Sequence, residues 1–350
     1  MAPERPEHWR LTRLYELDLL RLLAAAAVLL FHYGFRGYIA DDLCRMPTPT
    51  LGLVARYGYL GVELFFLISG FVILLSAEGR NATEFVKARA LRLFPALWLA
   101  CSLTAATAWL LSDARFTPTL GDYFANMALL AGFIGRPLVD GSYWSLYVEI
   151  VFYAAIAAAI ALRQLGQIEL WLILWLALAC LIDLFPFGNA GFKALFNYAP
   201  YFVGGCVAYR RYSLGTSPLR QGLFVASWVL ASAHALRDAA YLSERYAVRF
   251  EPLVVTSLIA VFFGGFWLLA RHRTTAWRQP RWAIWGALTY PLYLIHQHIG
   301  YMLFNRLYPA WPSWLLVSSC SALVLALAWL IHHHAELPLR RWLQGLLWRS

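Results

Sequence analysis

The chain has 350 residues, of which 61% are hydrophobic and only 14% are charged, and its mean hydropathy is +0.57. Because soluble domains carry about 25% charged residues, this composition excludes an ordinary soluble protein and favours one surrounded by membrane lipids. The formal net charge of +10 does not indicate nucleic-acid binding, since the basic residues form no stripe on a soluble face with exposed aromatic side chains. We therefore predict no nucleic-acid partner.

Apolar stretches recur along the chain, and as helices they can cross a hydrocarbon core of about 30 Å. We predict an all-α fold, a polytopic membrane helical bundle with about ten transmembrane helices. The predicted spans cover residues 17–34, 51–76, 93–111, 142–162, 168–185, 195–209, 221–236, 252–270, 282–304 and 313–331. Pro186, Gly188 and Pro200 predict broken helices around the fifth and sixth spans, and residues 122–134 are a candidate half-span.

Loop charges predict how the chain sits in the membrane. With the N-terminus in the cytoplasm, most of the Lys and Arg residues in loops lie inside, so the positive-inside rule predicts that both termini are cytoplasmic. Residues 1–16 then form a cytoplasmic segment, residues 17–342 the membrane domain and residues 343–350 a cytoplasmic tail. The first span contains Asp18 and Arg21 and lacks a small-residue cleavage site, so we do not expect a cleaved signal peptide.

The first span carries polar side chains, which cost several kcal/mol in a membrane unless they face the bundle interior and find partners. Arg21 and His32 are eleven positions apart, which places them on nearly the same helix face about 16 Å apart along the axis. Asp18 lies one turn from Arg21 and can pair with it. The pattern predicts an interior polar stripe, and the alternative is a structural ion pair with an interfacial histidine.

Carboxylates mark the second and fourth spans. Glu63 falls at about mid-depth, where it must be protonated or paired. We predict that it approaches the histidine of the first span or a substrate hydroxyl, and the alternative is a buried hydrogen bond that serves packing. In the fourth span Ser142, Ser145 and Glu149 share one helix face, with Trp144 at the outer interface. This face is predicted to form the mouth of a polar cavity, and the alternative is a helix-packing network.

Basic residues open the third span, where Arg89 and Arg92 lie three positions apart, between Lys87 and Pro95. Two guanidinium groups on one helical turn can hold a phosphate through bidentate hydrogen bonds. The alternative is that they set the topology, as basic residues at a cytoplasmic membrane edge commonly do.

The ninth span places Tyr290, Tyr293 and His296 at positions i, i+3 and i+6. Pro291 is expected to bend this helix and release backbone carbonyls, and His296 should reach a depth close to that of the first-span histidine. In the run 332–334, consecutive histidines point about 100° apart and cannot all face one ion. We predict an interfacial belt there and no metal site.

The longest predicted outer loop covers about residues 112–141. It is rich in turn residues, and its polar side chains include Asp113, Asp122, Asn126 and Asp140. Such a loop either caps a binding site or simply connects two spans, and the sequence favours neither alternative.

These polar blocks, in this order and on these spans, resemble the membrane-bound acyltransferase 3 family, which includes O-acetyltransferases of bacterial O-antigens, exopolysaccharides and Nod factors. The resemblance rests on the first-span Arg and His, Glu-Leu-Phe-Phe with Ser-Gly-Phe, Arg-x-x-Arg with its Pro, Trp-Ser-Leu with its Glu, and Tyr-Pro-Leu-Tyr-Leu-Ile-His. It extends from Leu17 to about Trp342, and the closing segment from Glu336 resembles the family's Glu-x-Pro element. The blocks are individually short but jointly specific.

The resemblance implies an inner-membrane acyltransferase that moves an acyl group, most simply acetyl, from cytoplasmic acyl-CoA to a hydroxyl of an extracytoplasmic or lipid-linked glycan, without a metal. The catalytic residues it implies are Arg21, His32, Glu63, Glu149 and His296. Acyl-donor binding is assigned to Arg89, Arg92 and Arg21. Substrate contacts are assigned to Tyr290, Tyr293, Ser145 and Trp144. Leucines at positions 19, 20 and 22, where family members often have glycines, leave open how closely another helix approaches the first span.

We predict that His32, as a neutral imidazole, is the general base for the acceptor hydroxyl. Glu63 or Glu149 would orient its ring, and His296 or Tyr293 would donate to the developing oxyanion. Alternatives are acylation of a small molecule such as an antibiotic, and transport of the glycan or acyl donor along the intramembrane charges. A homo-oligomer is compatible with the sequence.

Overall fold

The computed structural model of the chain describes residues 13–111, 113–185 and 190–347, except for the side chains of residues 190–193 and 347. These residues fold into helices joined by loops, with no strand among them, which confirms the predicted all-α class. The α-helices, in chain order, are α1 (Tyr15–Phe31), α2 (Pro49–Ala55), α3 (Gly61–Ala77), α4 (Ala82–Leu111), α5 (Leu120–Met127), α6 (Trp144–Ala161), α7 (Ile168–Leu184), α8 (Ala190–Asn197), α9 (Ala199–Leu214), α10 (Pro218–Tyr246), α11 (Pro252–Leu269), α12 (Trp282–Leu307), α13 (Ser313–Leu330) and α14 (Leu337–Leu347).

Seven helical segments of the described chain are long and apolar enough to cross a membrane, which confirms a polytopic bundle. They are Tyr15–Ala40, Pro49–Ala77, Ala82–Leu111, Gly141–Ala161, Leu165–Leu184, Pro252–Leu269 and Ser313–Leu346. The other predicted spans are also helical and correspond to α9, α10 and α12. Helix α9 has only 16 residues, whereas α10 and α12 carry several polar side chains, which lower their hydropathy.

Helix α1 packs against both α3 and α12. Beyond Phe31 it continues as a π-helix over His32–Ala40, a geometry that is frequent at functional sites. The crossing with α12 depends on Gly286, because a Cβ at this position would collide with the side chain of Asp18. The glycine at this crossing is therefore supplied by α12, and the leucines around Asp18 do not prevent the close approach.

Helices α3 and α9 approach each other through small residues, as is common between membrane helices. A Cβ added at Gly70 would overlap the carbonyl of Phe202, and one added at Gly205 would overlap the carbonyl of Leu67. Glu63 lies four and seven residues before Leu67 and Gly70, so it shares their helix face. This packing directs Glu63 towards α9.

The segment between α4 and α6, which contains the candidate half-span, folds into a loop with one short α-helix. Helix α5 has eight residues, too few to cross the hydrocarbon core, and begins with a capping box formed by Thr119 and Asp122. The Asn126 side chain donates to one backbone carbonyl and accepts from one backbone N–H of residues 137–139, at 2.9 and 3.2 Å. These bonds close the loop and position Asp140 just before α6.

The helix break predicted at Pro200 is present. Helix α8 ends at Asn197, and α9 begins at Ala199 with Pro200 in its first turn, a position that tolerates proline. The predictions that fall outside the described residues concern Pro186, Gly188, residues 1–12 and residues 348–350.

Candidate functional site

A cavity of about 120 Å³ lies between α1, α3, α4, α6 and α12. Its wall combines apolar side chains with guanidinium, carboxylate and hydroxyl groups. The predicted site residues that line it are Arg21, Arg89, Arg92, Ser145, Glu149, Tyr290 and Tyr293. Residues that are far apart in the sequence, from the first, third, fourth and ninth predicted spans, therefore meet at one cavity.

Arginines form one side of the cavity. The Arg21 guanidinium donates to Asp18 at 3.0 Å, which confirms the predicted pair. Arg92 lies 5.1 Å from the centre of the Tyr290 ring and pairs with Glu336 at 3.5 Å. Because 3.5 Å is long for a charge-assisted hydrogen bond, the Arg92 guanidinium keeps donors for a ligand.

Arg89 is held by aromatic rings and forms no ion pair with a described residue. Its Cζ lies 5.8 Å from the Tyr153 ring centre and 5.9 Å from that of Phe85. The Nε atom is buried and has no hydrogen-bond partner in the described part of the chain. An unsatisfied buried donor costs about 1–3 kcal/mol, so an anionic ligand that accepts from Arg89 would recover this energy. The three guanidinium groups thus fit a phosphate-bearing ligand.

Hydroxyl and carboxylate groups form the other side. Oε1 of Glu149 accepts hydrogen bonds from the Ser69 hydroxyl at 2.9 Å and the Tyr153 hydroxyl at 2.8 Å. The hydroxyls of Ser145 and Tyr293 lie 2.8 Å apart. Glu149 therefore has hydroxyl partners, whereas we predicted that either Glu63 or Glu149 orients the first-span imidazole.

Two histidines lie in direct contact next to this cavity. Nδ1 of His32 is 2.9 Å from Nε2 of His296 and 2.9 Å from the carbonyl oxygen of Val28. Nδ1 of His296 is 2.8 Å from the carbonyl oxygen of Tyr293. The side chains of His32 and His296 are buried, at 5% and 1% exposure. The prediction that they reach the same depth is confirmed.

The hydrogen-bond partners assign the protons. A carbonyl oxygen only accepts, so Nδ1 of each ring must carry a proton. Nε2 of His296 then accepts from His32, and Nε2 of His32 keeps a lone pair with no hydrogen-bond partner among the described residues. His296 has no N–H left for an oxyanion, contrary to one predicted role, which leaves that role to the hydroxyl of Tyr293.

The polar stripe predicted between Arg21 and His32 is interrupted. Arg21 lines the cavity and His32 does not. The Tyr293 ring lines the cavity, and its centre is 5.8 Å from that of His296 and 5.7 Å from that of Phe65. The Tyr293 ring, held by Ser145, therefore lies between the cavity and His296.

Glu63 and Trp144, to which the resemblance assigns a catalytic role and a substrate contact, are not part of the wall of this cavity. Trp144 packs against Tyr198, with ring centres 5.4 Å apart. Glu63 is 4% exposed on the face of α3 that packs against α9, and its Oε2 has no hydrogen-bond partner in the described chain. Helix packing thus directs both side chains away from the histidine pair.

Asp140 is fully buried and joins the outer loop to α12. Its Oδ2 accepts from the backbone N–H of His298 at 2.9 Å, and its Oδ1 accepts from the N–H and hydroxyl of Ser142 at 2.9 and 2.7 Å. The His298 ring bonds in turn to the backbone of residues 139–141. The loop is therefore fixed to the helix two residues from His296, so it does more than connect two spans.

The closing Glu336 also has a partner that the sequence did not reveal. Besides Arg92, its carboxylate contacts Nδ1 of His332 at 2.8 Å, and it is 1% exposed. His332 is therefore part of an interior network, although we predicted an interfacial belt. Among the described residues no group of three His, Cys, Asp or Glu side chains is arranged to hold a metal ion.

The fold and these side chains define a polytopic helical membrane protein with an arginine-lined interior cavity beside a buried histidine pair. A family model described as an acyltransferase domain matches residues 14–333, and the chain belongs to this family, acyltransferase 3. The resemblance drawn from the polar blocks is thereby confirmed.

Several curated proteins are similar to parts of the chain. The exopolysaccharide production protein ExoZ of Rhizobium meliloti (strain 1021) is 32% identical over 129 residues, which cover 35% of this chain and 40% of ExoZ. Nodulation protein 10 of Rhizobium leguminosarum bv. viciae is 31% identical over 39% of this chain and 41% of its own length. The O-acetyl transferase of Shigella phage Sf6 is 30% identical over 43% and 47%. The chain thus spans less than half of each of these relatives, and no solved structure matches it.

Proposed function

We propose that this protein is an integral membrane O-acyltransferase that transfers an acetyl group from cytoplasmic acetyl-CoA to a hydroxyl of an extracytoplasmic or lipid-linked glycan. The observation that carries the proposal is the cavity shared by Arg21, Arg89, Arg92 and Tyr293, next to the pair of His32 and His296. The relative named as an exopolysaccharide production protein supports a glycan acceptor, and the one named as an O-acetyl transferase supports acetyl transfer to an oxygen atom. Loop charges support an orientation with both termini in the cytoplasm.

Arg89 and Arg92 bind the donor phosphates in this proposal, with Arg21 further inside. Guanidinium groups suit this role because their planar forks donate two hydrogen bonds to one phosphate. The long 3.5 Å pair between Arg92 and Glu336 holds the side chain in place while leaving donors for the ligand. The thioester would then extend along the cavity towards Ser145 and Tyr293.

His32 is the general base in this mechanism. Its Nε2 takes the proton of the acceptor hydroxyl while the new C–O bond forms and the C–S bond of the thioester breaks, and the proton then passes to the leaving thiolate. The Nδ1–H of the resulting imidazolium remains bonded to the Val28 carbonyl and to Nε2 of His296. The hydroxyl of Tyr293 donates to the acyl oxygen as negative charge develops on it.

Tyr293 must also move in this mechanism. Its ring separates the arginine-lined cavity from the histidines, so the acyl group reaches His32 only after the ring rotates. Its hydroxyl now lies 2.8 Å from the Ser145 hydroxyl and donates to the Ser142 carbonyl at 3.1 Å, and the rotated ring would donate to the acyl oxygen instead. Binding of the donor and exposure of the base are then coupled through one side chain.

The test is transfer of label by the purified protein in liposomes, with acetyl-CoA carrying a ¹³C-labelled acetyl group on one side and a lipid-linked glycan fraction from the host on the other. We expect mass spectrometry to find labelled ester on the glycan with wild type and none with His32→Ala. Label found only on small molecules would show that the acceptor is a small molecule and not a glycan. Movement of intact glycan or donor across the bilayer without ester formation would contradict the proposal and indicate a carrier.

A further inference from the structure

A second cavity lies at the ends of α9 and α11. It is an open cleft of about 760 Å³, lined in part by Arg211, Tyr212, Trp267, Leu268, Arg271 and Arg273. Helix α3 separates it from the first cavity: Phe71 packs on Tyr212, with ring centres 5.7 Å apart, while Ile73 lines the first cavity. The acyl-transfer mechanism uses no residue of this cleft.

Arg211 is the central residue of the cleft. It is 1% exposed, and its Nε, Nη1 and Nη2 atoms have no hydrogen-bond partner in the described part of the chain. Its Cζ lies 3.6 Å from the centre of the Trp267 ring, so the guanidinium stacks on the indole. Stacking stabilises the cation by about 2 kcal/mol but engages only its faces. The N–H groups at its edge stay available to an acceptor.

Two further arginines bring positive charge to the same place. Cζ of Arg271 is 5.0 Å from the Trp267 ring centre, so the indole contacts two guanidinium groups. Within the described residues, Arg211, Arg271 and Arg273 form no ion pair with a carboxylate. Like charges repel, and three arginines without a carboxylate partner line this cleft, so the cleft is complementary to an anion.

Arg210, the neighbour of Arg211 on α9, has an ion-pair partner. Arg210 and Arg220 both bind Glu169, at 3.2 and 2.7 Å. A basic residue that only sets topology at a membrane edge extends its charge into water. Arg211 is instead buried and lacks the carboxylate that its neighbour has, so neither explanation accounts for it.

We propose that this cleft binds a phosphate group through Arg211 and Arg271. Phosphate suits the site because it accepts bidentate hydrogen bonds from guanidinium edges. Leu268 lines the same cleft and is 40% exposed, which offers an apolar surface to an acyl chain beside the arginines. The phosphate of a phospholipid head group therefore fits the site, and a soluble phosphate compound presents the same chemistry.

The experiment measures binding to the purified, delipidated full chain. Native mass spectrometry with phosphatidylglycerol and with diacylglycerol, which lacks the phosphate, tests the lipid source. Thermal shifts with inorganic phosphate and with adenosine 3′,5′-bisphosphate test the soluble source. The variants are Arg211→Gln, Arg211→Lys and Arg271→Gln, with Arg163→Gln as an exposed cytoplasmic control that removes the same charge outside the cleft.

We expect phosphatidylglycerol to bind, and Arg211→Gln and Arg271→Gln to weaken it about tenfold or more, with Arg163→Gln unchanged. Arg211→Lys should restore part of the affinity, because it keeps the charge but loses the fork. If only the soluble compounds bind, with the same dependence on the arginines, the site is a phosphate site for a soluble ligand. If Arg211→Gln does not fold, binding by the Arg271→Gln variant tests the proposal, because Arg271 is exposed. Equal binding of diacylglycerol, no binding of any phosphate compound, or unchanged binding by Arg271→Gln would overturn the proposal.

Discussion

Nδ1 of His32 lies 2.9 Å from Nε2 of His296, although the two residues are 264 positions apart in the chain. Each ring is also fixed by a backbone carbonyl of its own helix. This arrangement orders the two imidazoles without a carboxylate and leaves the lone pair on Nε2 of His32 with no hydrogen-bond partner among the described residues. A base made in this way depends on the relative position of α1 and α12.

The first prediction concerns the base itself. His32→Ala should lower kcat for acetyl transfer by about 100- to 10,000-fold and leave the KM for acetyl-CoA nearly unchanged, because the arginines that bind the donor are intact. His296→Gln should have a smaller effect, since His32 keeps its bond to the Val28 carbonyl. The exposed His333→Ala is the matched control. A His32→Ala enzyme within a few-fold of wild type would remove His32 from this role.

The second prediction concerns donor binding. Arg89→Gln and Arg92→Gln should each raise the KM for acetyl-CoA about tenfold, with a smaller change in kcat, because they remove binding to the phosphates. Arg92→Lys should recover only part of the loss. Arg80→Gln, an exposed basic residue just before α4, serves as the control. An unchanged KM in the Arg89→Gln, Arg92→Gln double variant would show that the phosphates bind elsewhere.

Helical periodicity was sufficient to predict most of the cavity. It gave the pair of Asp18 and Arg21 and the polar faces of the fourth and ninth spans, because residues three, four or seven apart share a face whatever the neighbouring helices are. It could not give the direction of Glu63. The depth of that carboxylate follows from its position in the span, but its direction depends on the glycines that bring α3 against α9.

Long-range partners were the other part that the sequence left open. Arg92 and Glu336 are 244 positions apart, and Asp140 and His298 are 158 apart. From the sequence alone, Arg92 is explained as a topology signal and Asp140 as a loop residue, so neither requires a distant partner. The contacts arise from how α4, α12 and the C-terminal helices pack, and no pattern within one helix encodes that packing.

The third prediction tests Asp140 as a positioning residue. In Asp140→Asn the amide NH₂ would face the backbone N–H of His298, so two donors would meet where a carboxylate now accepts. We expect kcat to fall by at most about tenfold and the free energy of unfolding to fall by about 1–3 kcal/mol. The KM for acetyl-CoA should be unchanged. Asp42→Asn, at an exposed position between the π-helix and α2, is the control. A change in the donor KM instead of kcat would argue against positioning of the histidines.

The fourth prediction is a pH dependence of the outer loop. The side-chain hydrogen bond from Thr119 lowers the pKa of Asp122, and Arg136 acts in the same direction. Since the folded pKa lies below the unfolded value of about 3.9, this carboxylate stabilises the fold above that pH, and the contribution is lost as pH falls through the folded pKa. The difference in melting temperature between wild type and Asp122→Asn should therefore be constant near neutral pH and shrink below about pH 4. A constant difference down to pH 3 would contradict this assignment.

The fifth prediction concerns the helix crossing that holds the first cavity together. In Gly286→Ala the added methyl would collide with Asp18, the partner of Arg21, so we expect a loss of about 1–3 kcal/mol of stability and weaker binding of acetyl-CoA. Gly264→Ala is the matched control, because among the described residues nothing lies within 4 Å of a Cβ added there. That variant should be neutral, or stabilised by up to about 1 kcal/mol through the helix propensity of alanine. Thermal unfolding in detergent and the donor KM measure both effects. If the two glycine variants behave alike, the approach of α12 to α1 does not depend on a missing side chain, and Asp18 is not held by this crossing.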